Sequence, residues 1–463
     1  MVDLRRSVVS MVTARTYAKN VRHRVAVVGA GLAGLLIAGL FARRGWDVTV
    51  FEKRSASNEW RKGRSINLAL SHRGIVALRR LGIEPALKPL VVPMRGRMIH
   101  MHNRLDFQAY DPVRARYIFS IARSELQHIL YCATAAACKI RFNVACVGAD
   151  VSAGTLTLRD HRGEEEASFD AIIGADGIDS VVRHSILGLE DPSPRVHPHG
   201  YKELTIPAPE ASRAALDRAA LHIWPRHKFM LIALPNRDGS FTATLFLPSS
   251  GKNSFGSLRK AQDVERFFER YFRDARSLFP TLINDFFVNP VGRLSTVQPK
   301  RWINGKATII GDAAHTMLPF YGQGMNCALE DCIELDDAFE AEATFESAFA
   351  RFYRTRRLDA AAISKLSFDN YREMRDTVLS PEFSDDRALE IILQQRNPDH
   401  YLPLYSMIAF TSIPYGQVMA RARAQRAIVR KWREASPIVT DDLSGLDTMI
   451  RRSLSPLPPD RMK

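Results

Sequence analysis

The chain has few cysteines and no pairing pattern for them. Cys132, Cys138, Cys146, Cys327 and Cys332 are an odd set, and no two form a Cys-x-x-Cys pair. That argues against a disulfide framework or a structural zinc and for reduced thiols in a cytoplasmic protein. The N-terminus has no apolar run suited to a secretory signal; residues 1–22 are basic and read as a flexible leader. The uncharged stretch Tyr401–Ala420 is long enough to span a bilayer. Pro403, Pro414 and Gly416 interrupt it, so it reads as a buried segment and no stable membrane span is expected. No internal repeat is visible, and no His/carboxylate spacing marks a metal site. The net charge of +15 comes without the aromatic-interleaved basic motifs of a nucleic-acid module, so nucleic acid is not an expected partner. An anionic ligand, or solubility, accounts for it.

Three glycine-bearing segments carry the positive information: Val27–Gly34, Ile173–Gly177 and Ile310–His315. Residues 24–28 read as a buried parallel strand, Leu35–Arg44 as a helix, and Val48–Phe51 as a second strand ending at Glu52. Between strand and helix, Gly29 permits a tight turn, Gly31 lets backbone N–H groups approach a pyrophosphate, and Gly34 lets helix and strand pack closely. Glu52 stands about 20 residues on, where an acid bonds a ribose hydroxyl. The strands Phe169–Gly174 and Ala307–Gly311 repeat the design and end near Asp176 and Asp312. A helix is expected from Gly324, because Met325, Ala328, Leu329, Cys332 and Ile333 fall at helical spacing. Gly322, Gln323 and Gly324 would expose backbone N–H groups at its start. Together the three segments point to FAD held noncovalently by separated stretches of one α/β, Rossmann-like domain. Leu32, Ala33, Lys53, Arg54, Ala69, Met325 and Asn326 flank these motifs and join the expected cofactor set.

The expected order is a leader (1–22), an FAD-binding domain in two pieces (23–190 and 290–345), an inserted antiparallel β-sheet substrate domain (191–289), a C-terminal helical region (346–440) and a flexible tail (441–463). In the insert, Phe229–Leu234 and Phe241–Leu247 form strands joined through Asn236–Gly239. Met230, Ile232 and Leu234 share a parity and therefore a face. No second glycine-rich dinucleotide turn is present, consistent with a reductant that visits transiently.

These segments resemble the class A flavoprotein aromatic hydroxylases, the family of para-hydroxybenzoate hydroxylase. Within that family, Gly63–Gly74, Met94–Met98, Pro198–Glu203, Leu221–Pro225, Pro319–Asn326 and Asp369–Met374 are similar to the branch that hydroxylates kynurenine. The resemblance implies NADPH as transient reductant, dioxygen as co-substrate, and L-kynurenine or a close derivative as substrate, with 3-hydroxy-L-kynurenine as product. It implies that Arg97 pairs with the substrate carboxylate, that Tyr110 bonds the same group, and that Asn370 and Tyr405 are polar contacts. Leu221, Met230, Ile232, Leu234, Phe246, Pro319, Phe320 and Met374 form the implied apolar wall. Arg123 is implied as an FAD contact and Asp312 as a partner of the ribityl chain, and no side chain is assigned as acid or base. Tyr321 stands where many relatives carry Phe or His. His315 reads as part of the flavin turn.

A monomer or homodimer in the cytoplasm is expected, rather than a form held at the mitochondrial outer membrane, because no C-terminal apolar anchor is seen. Two other readings remain open at this point: a hydroxylase of a ring-substituted kynurenine, and a non-catalytic protein that keeps the FAD fold for binding.

Overall fold

The computed structural model describes residues 22–56, 66–101, 104–208, 216–374, 381–435 and 442–458. The leader 1–21 and the first residues of the Gly63–Gly74 segment lie outside the described residues. A six-stranded sheet organises the first half. Its order runs Ile303–Asn304, Ala307–Ile309, Ala171–Gly174, Arg24–Val28, Asp47–Glu52, Lys139–Phe142. All pairings are parallel except the short Ile303–Asn304 hairpin arm. The strand Arg24–Val28 is central, and Val25, Ala26 and Val27 are fully buried, as expected for a strand covered on both faces. The first helix, Leu32–Arg43, packs Leu35, Leu36 and Ile37 into this core.

The second sheet has seven strands in the order Gly292–Thr296, Arg195–Ile206, Phe241–Pro248, Phe229–Pro235, Ala220–Arg226, Gly96–Met101, Arg104–Ala109. Here the expected boundaries need correction. The substrate sheet is not confined to 191–289: strands 96–101 and 104–109 join it, through parallel pairing of Leu221 with Arg97 and Ile223 with Ile99. The insert also carries helices, Ala261–Tyr271 and Leu282–Val288, whose Phe267, Phe268 and Phe286 cover the back of the sheet. The alternation in Phe229–Pro235 sorts as its parity predicts. Phe229, Leu231 and Ala233 face these helices, and Met230, Ile232 and Leu234 face the opposite cluster.

The C-terminal region is helical, with Phe345–Arg372, Pro381–Arg396, Leu404–Phe410 and Tyr415–Ala435 as its main members. The uncharged stretch 401–420 contains two helix segments with Met407, Ile408 and Tyr415 buried against Ile363 and Cys327. Among the described residues no helix is long and apolar enough to cross a membrane. The segment expected to be a flexible tail carries a helix instead, Ser444–Ser453, with Leu446 and Ile450 fully buried against the Ile428 side of Tyr415–Ala435.

Candidate active site

The cofactor motifs stand together at the carboxyl ends of the parallel strands. Gly31 caps the first helix in extended conformation, no side chain caps it, and no acid stands in its first turn. A Cβ added at Gly31 would meet nothing within 4 Å, so open space lies over the exposed N–H groups of Leu32, Ala33 and Gly34. Gly29 is under tighter constraint: its φ is 102°, and a Cβ there would lie 2.5 Å from the Ala175 carbonyl oxygen. The Glu52 carboxylate accepts from the Ala30 N–H at 2.9 Å and the Arg54 N–H at 3.0 Å, which fixes the turn. Lys53, Arg54, Arg123 and Asp312 are exposed. Gly322, with φ 63°, sits against the Ala69 methyl at the start of Gly324–Ala341, another helix without a side-chain cap. An uncapped helix start with open space above it fits an anionic or dipolar group, so these residues fit FAD.

Two expected cofactor residues have other work for their side chains. Asp176 accepts from the Ser180 hydroxyl at 2.5 Å and the Val181 N–H at 2.8 Å, and thus caps the helix Val181–Leu187. Asn326 is fully buried; it accepts from the Ser71 N–H at 3.0 Å and donates to the Ala69 and Gly322 carbonyls, both at 2.8 Å. It staples the Gly322 turn to the strand Asn67–Leu70 and supports the site from behind. The Met325 side chain packs on the rim of the parallel-sheet core.

His315 also departs from expectation. Its imidazole turns inward, with Nε2 2.5 Å from Asp331 Oδ2. Asp331 also accepts from the Gly311 N–H at 2.9 Å and from Arg356 Nε at 3.0 Å. Burial alone would disfavour the imidazolium, but the Asp331 carboxylate beside it holds the His315 pKa well above its usual range. His315, Cys327 and Asp331 are close enough together to suggest a metal. The Arg356 guanidinium already serves Asp331, with Nη2 3.3 Å from Cys327 Sγ, so the pocket has its cation.

The apolar residues expected at the substrate meet in a buried cluster between the seven-stranded sheet and the C-terminal helices. Met230, Ile232, Phe246, Phe320 and Met374 form one buried cluster with Ile99 and Tyr371, and Leu221 and Leu234 border it. Phe320 is held between Phe246, 5.0 Å away by ring centroids, and Tyr371, stacked at 4.4 Å. Pro319 is exposed and opens the short 3-10 turn that carries Phe320 and Tyr321. Arg97 projects from strand 96–101, and its Nε donates to Gln108 Oε1 at 2.9 Å on the neighbouring strand. Gln108 in turn donates to Asp106 at 2.9 Å. This relay tethers the guanidinium at Nε.

Tyr110 and Tyr405 stack with ring centroids 4.8 Å apart and planes 14° from parallel. Burial raises the Tyr110 pKa to about 12, against opposing contributions from Arg97 and the Tyr405 hydroxyl. Their meeting depends on the helix Leu404–Phe410, which Ser406 ties to the Tyr110 carbonyl at 3.3 Å and Arg116 ties through the Phe410 carbonyl at 3.0 Å. Asn370 is buried, and its amide nitrogen donates to the Phe320 carbonyl at 2.8 Å and to the Met374 sulfur at 3.4 Å, which leaves its oxygen for a ligand. Arg97, Tyr321, Asn370 and Tyr405 line a groove of about 830 Å³. Sequence reasoning missed Arg387, Glu373 and Glu390, which line it too. Burial pushes the Glu373 and Glu390 pKa values up and that of Arg387 down, the last aided by Arg97. The i,i+3 spacing of Arg387 and Glu390 was visible, but its direction into the groove was not.

A glycine-rich cradle for a dinucleotide, together with a buried apolar and aromatic cluster and a groove lined by Arg97, is the arrangement of an FAD-dependent monooxygenase. The family described as FAD binding domain matches residues 22–362. The solved 2-methyl-3-hydroxypyridine-5-carboxylic acid oxygenase shares the fold, with a TM-score of 0.66 and 24% identity over 80% of this chain and 96% of that one. The 2,6-dihydroxypyridine-3-hydroxylase of Arthrobacter nicotinovorans aligns with a TM-score of 0.61 at 17% identity, over 77% and 94% of the two chains. The chain is 42% identical over 441 residues to the kynurenine 3-monooxygenase of Xanthomonas axonopodis pv. citri, covering 93% of this chain and 97% of the relative. The Xanthomonas campestris pv. campestris enzyme of that name is 40% identical over 444 residues, with the same coverage. This chain belongs to the kynurenine 3-monooxygenase family.

Proposed function

We propose that the chain hydroxylates L-kynurenine to 3-hydroxy-L-kynurenine, using FAD, NADPH and dioxygen. The observation that carries the reading is the position of Arg97: a guanidinium tethered by Gln108 that lines the groove with Tyr405, whose ring stacks on Tyr110. A planar fork suits the α-carboxylate of an amino acid, because two parallel N–H···O bonds fix its orientation as well as its charge. With the carboxylate there, the aryl ring extends among Met230, Ile232, Phe246 and Phe320. The exposed N–H groups over Gly31, the Glu52 side, Arg123, Asp312 and the Gly322–Gly324 turn would hold FAD.

Bound FAD would take a hydride from NADPH and activate dioxygen for transfer of one oxygen atom to the ring. The chain's own contribution is orientation and dryness. Phe320, Tyr371 and Met374 are buried in the apolar cluster and exclude water from it. NADPH comes from solvent, since the glycine-rich turn at Gly29–Gly34 is assigned to FAD. The Tyr321 hydroxyl is held protonated by burial and stacks loosely on Tyr405, at 6.1 Å. The functional division into cofactor, substrate and helical parts is part of the proposal, as are a cytoplasmic location, which the five free thiols support, and a monomeric or homodimeric state. The test is NADPH oxidation by the flavin-loaded protein with and without L-kynurenine, followed by product analysis. Stimulated oxidation with 3-hydroxy-L-kynurenine as product is expected, and stimulation without a hydroxylated product would refute the reading.

A further inference from the structure

The groove is larger than an aromatic amino acid needs. Its volume of about 830 Å³ lies high in the range of small-molecule sites, about 300–1,000 Å³. Arg97, Tyr321, Asn370 and Tyr405 form its inner end. Its outer end is built from two helices to which the site described so far assigns nothing. On Tyr415–Ala435, the residues Arg423, Arg426, Arg430 and Arg433 fall at i, i+3, i+7 and i+10, and all four line the groove. This spacing makes one stripe along a helix. Asp386 and Glu390 on Pro381–Arg396 line the groove as well, as does Glu373.

The stripe is unevenly neutralised. Arg433 bonds Asp386 at 2.7 Å, and Arg430 Nε lies 3.9 Å from Glu434. Among the described residues, Arg423 and Arg426 make no ion pair within 4.0 Å. Arg423 donates instead to the Met419 sulfur at 3.6 Å. Arg426 is close enough to influence Tyr321, Glu373 and Glu390 electrostatically, which places it between the outer groove and the Arg97 end.

We propose that this outer groove is a vestibule that recognises the zwitterion of an α-amino acid on its way to Arg97, its carboxylate by Arg423 and Arg426 and its ammonium by Glu390 and Asp386. The inference rests on the kynurenine reading and adds residues that set its specificity. L-kynurenine carries no net charge near neutral pH, so long-range steering of it is weak. Recognition must come from short-range contacts with both charges at once, and a groove with guanidinium and carboxylate groups in its lining provides them. Glu390 Oε2 lies 3.5 Å from Arg387 Nη1, yet burial still holds its carboxyl above the usual range, and an arriving ammonium would further favour its ionised form. Arg426 then passes the carboxylate inward to Arg97.

The test compares wild type with Arg423→Gln/Arg426→Gln on L-kynurenine and on its decarboxylated amine, with FAD content measured in parallel. Exposed charge contacts are weak, so kcat/KM for L-kynurenine should fall by about 3- to 10-fold in the double variant. The loss should fall on KM rather than kcat. The amine, having no carboxylate, should keep or improve its kcat/KM, and the paired lysine variant should recover most of the loss on L-kynurenine. Glu390→Gln gives a second reading: it should reduce the preference for L-kynurenine over the same acid lacking its amino group. Equal losses on L-kynurenine and the amine would make the arginines structural and overturn the inference, as would an unchanged kcat/KM for L-kynurenine. Failure of wild type to hydroxylate L-kynurenine would overturn the functional reading itself; a working wild type with unaltered selectivity in the variants would overturn only the vestibule.

Discussion

Tyr110 and Tyr405 lie on different parts of the chain, one after the edge strand of the substrate sheet and one in a C-terminal helix, yet their rings stack with centroids 4.8 Å apart and planes 14° from parallel. The pair joins the sheet to the helical region beside Arg97. Tyr405→Phe keeps the stack and removes the hydroxyl proposed to contact the substrate. A neutral hydrogen bond contributes about 0.5–1.5 kcal/mol net, so L-kynurenine affinity should fall by roughly 2- to 10-fold. Tyr405→Ala should cost more because the platform goes as well. Titration of the flavin absorbance with L-kynurenine measures both, and equal effects of the two substitutions would deny the stack a role.

Arg97→Ala should weaken L-kynurenine binding by on the order of 10- to 100-fold, the loss of a charge-assisted contact worth roughly 1.5–3 kcal/mol. Arg97→Lys should recover only part of it, because a point charge cannot reproduce a fork that Gln108 tethers at Nε. FAD content should stay at the wild-type level in both. Binding of L-kynurenine to Arg97→Ala at wild-type strength would make Arg97 an ordinary structural arginine.

Gly31→Asp separates folding from cofactor binding. Its Cβ meets nothing within 4 Å, and the position is an extended N-cap, where aspartate suits a helix. Thermal stability of the FAD-free protein should therefore be unchanged or slightly higher. The new carboxylate would stand where the pyrophosphate belongs, and FAD affinity should drop by on the order of 100-fold. A yellow Gly31→Asp protein with normal FAD retention would place the cofactor elsewhere.

The His315–Asp331 pair predicts a pH dependence of stability. The His315 pKa is raised in the folded state from an ordinary 6.5, so its stabilising effect is complete below about 6.5 and declines as pH rises through that value toward the raised one. The Asp331 pKa is lowered from 3.8, so its effect is present above that value and is lost as the pH falls toward the lowered one. Measured by urea denaturation, the advantage of wild type over His315→Gln should shrink steadily from pH 6.5 to 9. An advantage independent of pH over that interval would show that His315 is neutral in the folded protein.

The cofactor turns were legible in the sequence because their demands are local: a positive φ at Gly29, an uncapped helix start at Gly31, an acid at Glu52. The face of the apolar cluster was legible because strand periodicity alone puts Met230, Ile232 and Leu234 on one side. The membership of strands 96–101 and 104–109 was not, since the parallel pairing of Arg97 with Leu221 is set by tertiary packing. The tail helix was misread because the Pro- and Ser-rich end, Ser453–Lys463, dominated a segment whose Leu446 and Ile450 make a short apolar face. Asp176 and Asn326 sit where cofactor residues are expected, but unsatisfied backbone groups at nearby helix starts claimed their side chains. The arginine stripe had helical spacing in the sequence, and only the partner helix 381–396 gives it meaning.

The proposed reaction transfers one oxygen atom of dioxygen to the ring of L-kynurenine. The most direct measurement is the mass of the product formed under heavy-isotope dioxygen, from flavin-loaded protein, NADPH and L-kynurenine. The account predicts 3-hydroxy-L-kynurenine carrying one heavy oxygen atom, formed in step with NADPH consumption and lost in Arg97→Ala at low substrate. Hydroxylated product carrying oxygen from water, or NADPH consumption that yields only hydrogen peroxide under all conditions, would contradict it.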